Sequence, residues 1–134
     1  MRVLPPRTDT ERAALARAKA RLDRLDFYPE PVDLRRVRIL QAPWWFRLPL
    51  LRQFDGYCIL DLILVREPIA RVDDDLLCHE LCHVWQQQQG SWPAMWLSYC
   101  RPRVFTGDRS AYHANRYEMQ ARRAVALTRP GRQA

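Results

Sequence analysis

Asp73-Asp74-Asp75-Leu76-Leu77-Cys78-His79-Glu80-Leu81-Cys82-His83-Val84-Trp85-Gln86-Gln87-Gln88-Gln89-Gly90 is the stretch on which the fold turns. Three aspartates offer an N-cap and place negative charge where the dipole of a helix favours it, and the glycine supplies a stop. The spacing therefore predicts a helix from about Leu76 to Gln89. Within it His79 and His83 are four residues apart, so their side chains stand one above the other on a single face. Glu80 lies roughly 100° round the helix from His79.

Two imidazoles one turn apart can send two nitrogens to one cation, at about 2.0–2.1 Å for zinc. The neighbouring carboxylate of Glu80 can then hold a water molecule without ligating the metal. The pattern is H-E-x-x-H. With three histidines in 134 residues, and with the match inside a capped helix, coincidence is a poor account of it. The bland alternative is a pair of core histidines satisfied by hydrogen bonds.

A catalytic zinc site usually has three protein ligands, and no third histidine follows at short spacing. Glu118 is the sole acidic residue after Asp108. It falls in a predicted helix, about Ser110 to Leu127, whose Ala114, Ala121 and Val125 suggest a packed face. A carboxylate there is costly unless it is paired or bound to a cation, which favours Glu118 as the third ligand. The competing role is an ion pair with Arg122, four residues on. Tyr112 and His113 in the same segment are the nearest candidates to stabilise developing negative charge. Cys78 and Cys82 are also four apart but turned about 100° from the histidines, so they are expected to be packing thiols. The C-x-x-x-C-H they form with His83 is one residue longer than a haem-attachment motif, and haem is not expected.

Around this centre the chain reads as one domain, residues 1–134, with a core from about 36 to 127. Residues 8 to 26 suggest a helix opened by Thr8 or Asp9 and ended by the stretch to Pro31. Val37 to Leu40 suggests a short strand, and Gly56 to Val65, rich in β-branched residues, one or two more. The apolar, aperiodic run from Pro43 to Phe54 suits buried loop packing, the alternative being a membrane-facing or substrate-facing lip. Ser91 to Tyr99 has helical spacing and is expected to be core.

Composition excludes several classes. The chain is 48% hydrophobic and 28% charged, which fits a globular domain rather than a disordered one. Its formal charge of +7 invites a nucleic-acid partner, but Lys19 is the lone lysine among 22 basic residues, and no Lys or Arg lies between Asp73 and Gly90. No nucleic-acid-binding motif accompanies the charge, so it is assigned to the surface. No run approaches the roughly 18 apolar residues of a membrane span. Met1 to Pro6 lacks the pattern of an export signal, so a cytoplasmic location with free thiols is expected for the four cysteines.

The run Leu76 to Gln86 resembles the active-site helix of the small bacterial gluzincin-type zinc metallopeptidases, including domain-of-unknown-function families, whose helix reads L-x-H-E-L-x-H-V-x-Q. Tyr112 and Asn115-Arg116-Tyr117-Glu118-Met119-Gln120-Ala121 resemble that group's second motif, which supplies a glutamate ligand. The likeness spans about residues 55 to 125. It implies an α+β, zincin-like fold in which a small antiparallel or mixed β-sheet packs on the H-E-x-x-H helix, with further helices around them. It also implies Zn²⁺ held by His79, His83 and Glu118. Better-known gluzincins read N-E-x-x-x-D in the second motif, with an aspartate that orients a ligand histidine; here Arg122 stands at that position. The outer histidine nitrogens are then left to backbone carbonyls, Asp61 or Asp108.

The expected function is peptide-bond hydrolysis of a peptide or protein substrate, with Glu80 as general base. The strand before the helix is where an extended substrate would add. The alternative is a catalytically silent zinc-binding module serving interaction or regulation.

Overall fold

The structure, a computed structural model, describes residues 4–99 and 115–131. Helix α1 (Asp9–Leu22) starts where Thr8 accepts a hydrogen bond from the Glu11 N–H, and it buries Ala14, Leu15, Ala18 and Leu22 along one face. It stops four residues short of the expected Asp26. At its end Arg24 and Leu25 donate to the carbonyls three residues back, Arg21 and Leu22. That tightening closes the last turn and releases Phe27 and Tyr28 to pack elsewhere.

Strands β1 (Arg38–Gln41), β2 (Gly56–Ile59) and β3 (Leu62–Val65) form a mixed sheet in the order β1-β3-β2. β1 runs parallel to β3 with Ile39 opposite Ile63, and β2 runs antiparallel with Cys58 opposite Ile63. Gly56 to Val65 is therefore two strands. Period-two alternation puts Ile63 and Val65 on the face that joins the helices and Leu64 on the other. That second face is covered by the Pro43 to Phe54 run, with Phe46 buried and Trp45 and Phe54 partly buried against it. Buried packing thus describes most of this run, although Trp44 and Leu48 are exposed.

Leu60, in the tight turn between β2 and β3, has φ 52°. A leucine pays a steric cost in that left-handed region, and half of its side chain is exposed, so little burial compensates. Leu60→Asn is expected to stabilise the protein by about 0.5–1 kcal/mol, read as a higher denaturant midpoint with unchanged slope.

Helix α2 (Asp74–Gln86) is capped by Asp73, whose side chain accepts from the Asp75 N–H. It lies at the centre, packed against α1, β2 and α4 (Arg116–Thr128). Leu77, Cys78, Leu81, Cys82, Val84 and Trp85 are all buried. Trp85 stacks on Phe27, meets Tyr28 edge-on and donates to the Glu30 carbonyl at 2.7 Å, which fixes the segment after α1 across α2. Arg21 ties three helices together by donating to Asp75, to Thr128 and to the Val125 carbonyl. The fold is α+β, with the small sheet packed on the H-E-x-x-H helix.

The regular part of α2 ends at Gln86, before the expected Gln89, in a widened turn from Gln87 to Ser91. Gly90 is the stop the sequence predicts, with φ 85°. Helix α3 (Trp92–Tyr99) follows, and its main neighbour among the described residues is that turn. Met95 is buried, as expected of a core position, whereas Trp96 is partly and Leu97 largely exposed; the side chains of Trp92 and Tyr99 lie outside the described residues. Among the described residues no helix is long and apolar enough to cross a membrane.

Candidate metal centre

Helix α4 starts at Arg116, and residues 110 to 114 of the expected helix lie outside the described residues. Asn115 has extended backbone, φ −61° and ψ 131°, and its side chain accepts from the N–H groups of Tyr117 and Glu118. This cap sets the phase of α4. It buries Tyr117, Glu118, Ala121, Ala124 and Val125, and aims Glu118 at α2.

His79 and His83 project from α2 toward that carboxylate. His79 Nε2 is 2.8 Å from Glu118 Oε1, His83 Nε2 is 2.6 Å from Oε2, and the two imidazole nitrogens are 3.3 Å apart. The donor atoms of all three residues lie within 4.8 Å of one another. Ligands about 2.0–2.1 Å from a tetrahedral zinc ion would be about 3.3 Å apart, so the histidine pair already has the required separation. The carboxylate would move outward by about 0.5 Å to admit the ion. Two imidazoles and one carboxylate form a common donor set for zinc, and the residues fit it.

Electrostatics explains how this cluster persists as drawn. Burial raises the Glu118 acid, but His83 and His79 outweigh it and hold the group well below the usual carboxylate range. Burial opposes charge on His83, yet the Glu118 carboxylate prevails and His83 is pushed up to about 9. Because its folded value exceeds the ordinary 6.5, the pair's stabilisation is complete below about 6.5 and is lost as pH rises through about 9. The metal-free protein is therefore expected to lose about 3 kcal/mol between pH 6.5 and pH 9.5, measured by denaturant unfolding. Zinc-loaded protein should lack this loss, since the ion replaces the proton and binds more tightly as pH rises.

Glu80 is set apart from this cluster. It is 5% exposed, and among the described residues its carboxylate has no hydrogen bond or ion pair. Burial raises its pKa, with His79 and His83 opposing. It reaches a cleft of about 460 Å³ together with His79, between Gln53–Gly56, Leu76 on α2 and Arg122, Val125 and Arg129 on or just beyond α4. The far end of the Pro43 to Phe54 run is thus a cleft wall as well as a cover for the sheet.

Two contributors escaped the sequence reading. A Cβ on Gly56 would sit 3.1 Å from Leu76 Cδ1 and 3.3 Å from Glu80 Cγ, so the missing side chain lets β2 lie against the helix beside Glu80. A glycine inside a strand pattern is the signal for such an approach. Gln86, fully buried, receives His83 Nδ1 at 2.8 Å in place of the carbonyl or the Asp61 or Asp108 carboxylate expected. Asp61 instead lies in the β2–β3 turn, where its carbonyl accepts from Arg38. Cys78 and Cys82 are buried free thiols, as their spacing suggests, and burial pushes both up. Tyr112, His113 and Asp108 lie outside the described residues.

No protein-family model, curated protein or solved structure matches the chain.

Proposed function

We propose that the chain is a zinc-dependent peptidase of the minimal gluzincin kind. One observation carries the proposal: ligand atoms of His79, His83 and Glu118 converge from two helices, beside a buried Glu80 that faces a cleft and has no polar partner among the described residues. A cluster serving packing alone would have no need of that second carboxylate at an opening.

His79, His83 and Glu118 would hold the ion, which supplies Lewis acidity toward a water and a substrate carbonyl. Glu80 takes the proton of the attacking water and delivers it to the leaving amine. Its raised pKa makes it a stronger base than an exposed glutamate. β2 is an edge strand of the sheet, paired with β3, and its first residue lines the cleft. An extended peptide adding along its outer edge would bring a backbone carbonyl toward Glu80 and His79. Tyr112 and His113 are the proposed donors to the developing oxyanion.

The test is cleavage of a peptide library by zinc-loaded protein, abolished by a chelator and by Glu80→Gln and restored by added zinc. Zinc uptake without cleavage of any peptide would leave a silent zinc-binding module in place of an enzyme.

A further inference from the structure

We infer that Gln86 is a positioning residue for the metal centre: its amide fixes His83 in the tautomer whose Nε2 lone pair faces the ion, and Gln120 and Tyr28 hold the amide in place. This rests on the zinc reading of the site given above.

The amide's orientation follows from its partners. Gln86 Nε2 lies 3.0 Å from the Tyr117 carbonyl and 2.8 Å from Gln120 Oε1. A backbone carbonyl accepts only, so the atom facing it is the NH₂ group, and a flipped amide would set oxygen against oxygen. Gln120 Oε1 is held by a second donor, the Tyr28 hydroxyl at 2.9 Å. Gln86 Oε1 is then the atom 2.8 Å from His83 Nδ1, and as an acceptor it requires the proton on Nδ1. A neutral His83 so protonated presents the lone pair of Nε2, the nitrogen that stands 3.3 Å from His79 Nε2 and 2.6 Å from Glu118.

Gln86 is three residues beyond His83, so both occupy one face of α2. The network joins α2, α4 and the segment after α1. A buried glutamine of this kind is costly unless each polar atom is satisfied, and here each has a partner. The sequence offers no carboxylate at the orienting position of the better-known gluzincins, and a neutral amide takes over that duty. An amide acceptor donates less electron density through the imidazole than a carboxylate would, leaving the bound ion more electrophilic.

The test compares zinc affinity, by chelator competition, in the wild type, Gln86→Glu and Gln86→Met, with far-UV circular dichroism to confirm folding. Gln86→Glu retains an oxygen opposite Nδ1, whereas Gln86→Met matches the volume and removes the acceptor. Wild type and Glu are both expected to bind zinc more tightly than Met, with Met weakened about 10–100-fold. The zinc-loaded wild type should also show a slowly exchanging, downfield His83 Nδ1–H proton that Gln86→Met lacks. Gln88→Met, at an exposed position bonded to Asp33, is the control expected to change neither. A packing role would reverse the order, since methionine suits a buried apolar site and a glutamate does not. Met binding zinc as well as or better than Glu, or the same proton signal in Met, overturns the inference. Failure of the wild type itself to bind zinc would overturn the zinc reading instead.

Discussion

Glu80→Gln is expected to slow peptide hydrolysis by about a hundredfold to ten-thousandfold while zinc content stays at the wild-type level. The two substituents are nearly the same size, so the close approach of β2 at Gly56, 3.3 Å from Glu80 Cγ, survives the change. What disappears is the base. An amide neither accepts the proton of an attacking water nor returns it to a leaving amine. The proposed metal ligands His79, His83 and Glu118 are untouched, which separates loss of chemistry from loss of metal. Stability should rise slightly, because a carboxylate whose pKa is raised by burial is less stable folded than a neutral amide in the same place. A variant that cleaves at the wild-type rate would remove Glu80 from the mechanism.

Glu118→Ala is expected to weaken zinc binding by more than about a hundredfold. A structural zinc site is worth about 10–16 kcal/mol over four ligands, so one ligand represents about 3 kcal/mol. Here the lost ligand is also the only carboxylate bonded to the two histidines among the described residues. Without it, burial of His83 is opposed by the lesser effects of Glu80 and the Gln86 hydrogen bond, so its pKa falls and the pH dependence of the metal-free protein between pH 6.5 and pH 9.5 should shrink too. Metal content by atomic spectroscopy and unfolding at the two pH values give separate readouts. Undiminished zinc with altered pH dependence would mean that Glu118 pairs with the histidines but another residue completes the site.

How much of this was legible in the sequence depends on how local each feature is. His79, Glu80 and His83 sit in one helix, and the residue count per turn places them without any knowledge of the fold. The cap at Asp73 and the stop at Gly90 are local as well. Boundaries decided by competition between neighbours were less legible. The early end of α1 depends on Phe27 and Tyr28 finding Trp85, and the start of α4 at Arg116 depends on Asn115 turning its side chain to the amides of Tyr117 and Glu118.

The sequence by itself determined a pair of imidazoles on one helix face with a carboxylate beside them, since helical periodicity is a property of the backbone. It also nominated Glu118, through the cost of burying a lone carboxylate. Only the tertiary structure decided that Glu118 meets His79 across 39 residues of chain, that Gln86 turns back to His83, and that β2 can lie against Glu80 because Gly56 has no side chain. These are relations between separate elements. They depend on how α1, α4 and the sheet close around α2, and burial and packing set that closure, which no spacing within one segment records.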